Sequence, residues 1–455
     1  LVALPVAGKW AQRANSETGP CLVSFFISGI MFTNHKKVEA RMKQLKAVHG
    51  RELMLVVLFS LVMSLFGPLP ARAATAGYSE YFIPGSTDQL FRILQDIDNN
   101  PQLGNAFGVG TCATGTVPGG GVGGCNYMHN IVTISVSSDG TTIYYDHWEN
   151  GYSSGNAGDE VYLANNGDVL VFESSNILVP RAPGNTCVST NPNGASTQCY
   201  DGRDRIYVAG GAVSVAQAFW PEVTATVYAN AWEVFPVKPY QTSYIIPVGE
   251  DLFTNLGYAD FANVYVIVMS AADGTNVQIN NPGTPGVDVN VTLNRGQVTE
   301  LFHIDDGTTV TATNPVQVQF MAGQFNTGIA SDSRSYTAVP DGLWHSAYYS
   351  PVPGGNGTNT DIYIYNPTAG ALNINYQDNA GNGTFSIPAG ATRRYSDLAG
   401  RFVPVGSAVY LAAANGTTRF WAIGSYDAES ADFNYGFSLV PANLLTNDYY
   451  VGWAP

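Results

Sequence analysis

The densest run of chemically capable side chains is YYDHWENGY, Tyr144 to Tyr152. It offers two carboxylates (Asp146, Glu149), a titratable ring (His147) and a flat apolar surface (Trp148). Hard oxygen ligands on loops suit calcium better than a transition metal. Asp201 and Asp204 of the YDGRD segment would complete such a set, making Asp146, Glu149, Asp201 and Asp204 the candidate calcium ligands. Asp146 and Glu149 would serve glycoside hydrolysis only if they flanked one bond at the required separation. If the strand persists, alternation sends Asp146 and Trp148 to one side and His147 and Glu149 to the other. The plain reading is therefore a strand end with Trp148 in the core and the charges solvated.

Other motifs fail on context. Gly151-Tyr152-Ser153-Ser154-Gly155 spells the GxSxG of serine hydrolases, but that motif works only where a strand turns sharply into a helix. Gly119, Gly121 and Gly124 spell GxGxxG beside Cys125 with no following helix, which removes a dinucleotide site. Asp96 to Asn100 starts like a calcium loop but has Pro101 where glycine is required. Asp305-Asp306-Gly307 reads as a turn. His129, His303 and His345 carry no motif, and the 26 tyrosines read as cross-strand pairs and core before they read as sugar platforms. No catalytic constellation emerges, so a non-enzymatic role is expected.

The elements that hold these residues repeat. A short aromatic phrase ending in Pro occurs as SEYFIP from Ser79, TSYIIP from Thr242, SAYYSP from Ser346 and NDYYVGWAP from Asn447. In the later copies Pro236, Pro340 and Pro441 each precede a tyrosine, Tyr244, Tyr348 and Tyr449, by eight residues. A period of about a hundred residues is the size of a small β-sandwich. Between these phrases, glycine-punctuated alternating runs align: Asp139 to Tyr145 with Asp273 to Ile279 and Ala369 to Tyr376, and Ala209 to Phe219 with Thr313 to Gly323 and Ala414 to Gly424. Six strands are expected in the middle copy, at Asn263 to Ser270, Asn276 to Asn280, Val287 to Leu293, Gln297 to His303, Thr308 to Thr313 and Val316 to Gly323. Only Thr87 to Asp98 has a helical period in the mature region. The expected fold is all-β, a tandem array of three β-sandwich-like modules at 74–239, 240–343 and 344–455, ending on a truncated fourth phrase. The short links require the modules to pack together.

Residues 1–73 read as an upstream segment and a secretory signal peptide. Arg41 to Arg51 is basic, Leu53 to Phe66 is apolar, and Ala71-Arg72-Ala73 is a small-residue cleavage site. Beyond it stand 11 basic against 32 acidic side chains, a net charge of −21, with Lys238 the only lysine. Such a surface repels nucleic acid and anionic lipid. Cys112 with Cys125 and Cys187 with Cys199 are close pairs in Gly/Pro/Asn/Ser-rich loops, which in an exported chain suggests two local disulfides bracing insertions of the first module. Neither pair has zinc-ligand spacing.

YDGRDRI at Tyr200 to Ile206, GGAVSVAQAFWP at Gly210 to Pro221, ANAWEV at Ala229 to Val234 and YIIPVGED at Tyr244 to Asp251 resemble the N-terminal module of IgGFc-binding protein and of the large bacterial surface proteins that carry it. The resemblance implies a secreted or surface-displayed, adhesin-like setting with an extracellular protein or glycan as partner. It carries over no residue set for antibody binding. Self-association into a surface fibre or layer, and a carbohydrate-active enzyme or its accessory region, are the alternatives.

Overall fold

In the computed structural model, the described residues are 78–85, 89–90, 93, 96–97, 128–146, 158–173, 203–221, 230–324, 332–427 and 434–445. All belong to one compact unit that starts at Ala74. The signal peptide, the four loop cysteines and the fourth phrase fall outside the described residues.

The first module holds β1 (Ser79–Phe82), β2 (Met128–Val136), β3 (Thr141–Asp146), β4 (Glu160–Ala164), β5 (Val169–Glu173), β6 (Arg205–Ala209), β7 (Val213–Pro221) and β8 (Asn230–Val234). The second holds β9 (Ser243–Ile245), β10 (Asn263–Ser270), β11 (Thr275–Asn280), β12 (Val289–Leu293), β13 (Phe302–His303), β14 (Thr309–Ala312), β15 (Val316–Gln324) and β16 (Asp332–Thr337). The third holds β17 (Ala347–Ser350), β18 (Thr360–Tyr365), β19 (Leu372–Asp378), β20 (Gly381–Ile387), β21 (Thr392–Arg394), β22 (Val409–Ala413), β23 (Trp421–Tyr426) and β24 (Tyr435–Ser438). They form six four-stranded antiparallel sheets. The first module pairs β1-β6-β3-β4 with β5-β2-β7-β8, and the other two repeat both orders with the strand numbers raised by eight and sixteen. The expected helix is present, with residues 89–90, 93 and 96–97 helical.

The repeated phrase has one physical job in each module. Tyr81, Tyr244 and Tyr348 point inward from the first strand, and each hydroxyl donates to a carbonyl at the start of the seventh strand: Val213 at 3.1 Å, Val316 at 2.7 Å and Phe420 at 2.6 Å. The bond ties one sheet to the other and satisfies a buried polar atom. Burial pushes the Tyr81 phenol up to about 12 and the other two higher still.

Module packing follows from the strands themselves. In a sheet with one wet face only alternate residues are buried, as in β11, where Thr275, Val277 and Ile279 are inside. β15 is buried along its whole length, and β10 is buried from its second residue on. Val264, Val266 and Val268 enter a core shared by the second and third modules, while Tyr265 and Ile267 turn to the first module's core with Leu90, Ile93 and Ile97. The second module thus buries both faces of one sheet.

Toward the third module the contacts are polar and buried. The Tyr363 hydroxyl donates to Asp260 at 2.8 Å, and Asp260 also meets Arg334 at 3.2 Å, both charged side chains being fully buried. Asp306 accepts from the Thr392 N–H at 2.8 Å and lies 3.0 Å from the Thr392 hydroxyl, which also points at the Pro247 carbonyl. One hydroxyl proton cannot serve both oxygens. A protonated Asp306 resolves the conflict, and burial pushes its carboxyl up to about 7.

The eighth strands of the three modules meet in a hub. Asn230 of β8 bonds Ser333 of β16, Thr337 of β16 donates to the Glu233 carbonyl, and Ser438 of β24 donates to the Thr337 carbonyl at 2.9 Å. A Cβ on Gly436 would lie 2.3 Å from the Tyr336 ring, so β24 approaches β16 only because residue 436 has no side chain.

Candidate functional site

The sheet β1-β6-β3-β4 turns one face to the core and the other outward, and the register arranges the outward residues in rows. Glu80, Tyr207, Tyr144 and Val161 form one row, and Thr142 joins Ala209 and Leu163 in the next. Phe82, Arg205 and Asp146 form a third on the same face at the opposite end, where the face is buried and Phe82 packs with Met269 and Ala271 of the second module. The middle row is aromatic: Tyr78 stacks on Tyr207 with centroids 4.8 Å apart, and Tyr144 meets Tyr207 edge-on at 6.0 Å. Tyr78, Val161 and Leu163 are 55%, 58% and 76% exposed. Burial, then Tyr78 and Glu80, push the Tyr207 phenol up. The result is an exposed apolar strip running to the outer edge strand β4, a kind of patch that marks interaction surfaces.

The third row is an ion-pair network. The Arg205 guanidinium lies 2.5 Å from Glu80 and 3.6 Å from Asp146, and 5.5 Å from the Tyr207 ring centroid. Asp146, a predicted cation ligand, is therefore buried against a cation the chain supplies itself. Asp204 sits on the other side of the sheet, where it accepts the Tyr145 hydroxyl at 2.7 Å, and Tyr145 stacks on Phe172 of the opposite sheet. Asp146 and Asp204 thus flank the sheet from opposite faces. Glu149 and Asp201 lie outside the described residues, as do Cys112, Cys125, Cys187 and Cys199. Among the described residues, no three His, Cys, Asp or Glu side chains are grouped so as to hold a metal ion.

The inward tyrosines set the equivalence of the three outward faces. Tyr81, Tyr244 and Tyr348 pair with Ile206, Val310 and Leu411, so the next residues, Tyr207, Thr311 and Ala412, are counterparts. By the same registers Tyr144 corresponds to Gln278 and Asn375, Val161 to Asn290 and Thr384, and Leu163 to Thr292 and Ser386. At these positions the first face is aromatic and aliphatic, whereas the other two are polar except for Ala412; one row away the third face carries its own tyrosine pair, Tyr349 and Tyr410, with centroids 4.7 Å apart. The motif reading missed this strip, although the alternation of EVYLA at Glu160 to Ala164 carries its signal: a sandwich strand that should be polar on its wet side shows Val and Leu there.

Residues 206–419 match the IgGFc binding protein family. The match opens inside β6, takes in the whole second module and closes just before β23. That family is an extracellular binding family rather than a catalytic one. Tyr207 falls inside the IgGFc-binding match, whereas Tyr78, Tyr144, Val161 and Leu163 precede it. No curated protein matches the chain. Among the described residues, no helix is long and apolar enough to cross a membrane.

Proposed function

We propose that the chain is an adhesin-like, non-enzymatic binding region, exported by its signal peptide and acting at a cell surface or in a secreted assembly. The first module recognises an extracellular protein or glycan through the strip formed by Tyr78, Tyr207, Tyr144, Val161 and Leu163. The supporting observation is the contrast at equivalent positions: the fold tolerates Thr, Gln, Asn, Ser and the small Ala412 there in the other modules, so folding does not require the large apolar residues in the first. Exposed apolar groups without a folding role are what a binding surface needs.

The second and third modules supply a fold-compatible test. Replacing Tyr207→Thr, Tyr144→Gln, Val161→Asn and Leu163→Thr should abolish attachment of the full chain to mucin, matrix or cells while leaving its melting temperature within a few degrees. Unchanged attachment sinks the assignment. Self-assembly is a second reading, favoured by the position of Val161 and Leu163 on an edge strand. Sedimentation separates the two, because self-assembly predicts concentration-dependent oligomers that the same substitutions dissolve. Calcium bound in the first module is a further proposal, but Asp146 and Asp204 face opposite sides of the sheet, so one ion would take Glu149 and Asp201 with at most one of them, and the Arg205 charge beside Asp146 reduces the repulsion a cation would have to relieve.

A further inference from the structure

The closing phrases do more than end their modules. Pro236, Pro340 and Pro441 follow the eighth strands, and where those strands meet the three prolines line one cavity of about 180 Å³. Val339 and Leu343 of the second module's closing phrase and Val440 and Leu444 of the third stand at the same offsets from their prolines, and Phe235 takes the corresponding place in the first. The cup is therefore lined by one apolar phrase used three times. It opens outward, with Tyr240, Val440 and Leu444 at 54%, 40% and 46% exposure.

One lining residue breaks the apolar pattern. Lys238 is the only charged residue of the lining, and it is the sole lysine from residue 74 onward, in a stretch with 32 acidic side chains. Its backbone is held in a turn: the Lys238 N–H donates to the Gln241 Oε1 at 2.6 Å and the Gln241 N–H returns a bond to the Lys238 carbonyl at 3.0 Å. The backbone that carries the cation is thus held at the cup.

We propose that this cup is a binding site for an apolar carboxylate, of the class of a medium-chain fatty acid. The tail packs among the prolines and leucines, and the carboxylate meets the Lys238 ammonium. Apolar walls with one placed polar group are the usual composition of a small-molecule site. Charge selects the head group: the acidic surface repels an anion elsewhere, while Lys238 attracts it here and opposes a cationic amphiphile. This inference does not depend on the tyrosine strip, which lies on a different sheet face.

Calorimetric titration of the full chain with octanoate, decanoate and decanol tests it. Decanoate should bind saturably and more tightly than decanol, and affinity should rise by up to about fourfold per added methylene from octanoate to decanoate. Lys238→Met should weaken decanoate at least tenfold and leave decanol within twofold, and Lys238→Arg should retain decanoate. Leu343→Trp and, separately, Leu444→Trp should fill the cup and remove binding of both ligands with an unchanged thermal melt. No saturable decanoate binding, equal affinity for decanol, indifference to Lys238→Met, or binding that survives both tryptophan substitutions would each overturn the proposal.

Discussion

The outward face of β1-β6-β3-β4 and its counterpart β9-β14-β11-β12 share strand order, antiparallel pairing and an inward tyrosine bonded to the seventh strand. They differ in what faces water: Tyr207, Tyr144, Val161 and Leu163 on one, Thr311, Gln278, Asn290 and Thr292 on the other. The inward half of each strand makes the module, and the outward half is free to vary because solvent accepts polar side chains at almost no cost to stability. An apolar choice on that free half is then informative about binding, in a way that an apolar core residue is not.

The comparison can be broken first at the hub, where charge is dry, against the strip, where it is partly wet. Arg334 and Asp260 have no exposed side-chain surface, whereas the Glu80 partner of Arg205 is 26% exposed. Arg334→Ala should cost about 3–5 kcal/mol by stranding Asp260 in the interior. Glu80→Ala should cost less, about 1–3 kcal/mol, because Glu80 is partly exposed and the buried Arg205 keeps Asp146 as a partner. Chemical denaturation of both variants checks the ordering, and equal losses would show that the hub pair is not desolvated as described.

A sharper cut compares the three inward tyrosines. Tyr81→Phe, Tyr244→Phe and Tyr348→Phe each remove one buried hydroxyl and leave one carbonyl short of a donor, so each should lose about 1–2 kcal/mol. Similar values would support equivalent modules. A loss confined to one copy would mean that the phrase is repeated in sequence but not in energetic role.

The pH dependence carries a smaller, signed effect from Asp306, at the contact between the second and third modules, and from Asp361, which accepts from Ser396 and Ile362 inside the third. Burial pushes both carboxyls up to about 7, above their ordinary value. A carboxyl whose folded value is raised contributes stability that is complete below its unfolded value and is lost as pH rises through its folded one. Melting temperature should therefore fall between pH 5 and pH 8, and Asp306→Asn should flatten that slope. A melt that improves over this range would contradict the burial of these groups. Smaller still is the calcium effect: a site bound only in the folded state raises the melt with calcium beyond matched sodium chloride, and equal shifts in both salts would leave general screening as the explanation.

Much of the fold was legible in sequence, because its strands obey local alternation and its modules repeat the same phrases. The strands expected in the middle module at Asn263 to Ser270 and Val316 to Gly323 correspond to β10 and β15 within one residue. β13 is shorter than expected, covering only Phe302–His303, because Val298 makes an isolated bridge to Met269 and the intervening chain leaves the ladder. β16 was not expected at all. Its DSRSYT sequence is polar throughout, yet Ser333, Arg334 and Ser335 are buried, and Ser333 and Arg334 bond Asn230 and Asn434 of the neighbouring modules rather than entering an apolar core. Asp305-Asp306-Gly307 is a turn, with Gly307 at φ 85°, but its contact with Thr392 lies 86 residues away and no local pattern announces it. The candidate site was less legible for the same reason. Asp146 stood out by composition, while its partner Arg205 is set by register across 59 residues, and the strip becomes visible only when strands distant in sequence are laid side by side.

The central claim is that one of three equivalent faces binds. It is tested most directly by measuring attachment to a mucin-coated surface for three full-chain variants at corresponding positions: Leu163→Asn, Thr292→Asn and Ser386→Asn. The account predicts at least a tenfold weaker dissociation constant for Leu163→Asn and no change beyond twofold for the other two, all three melting alike. Equal losses from the three, or none from Leu163→Asn, would contradict it.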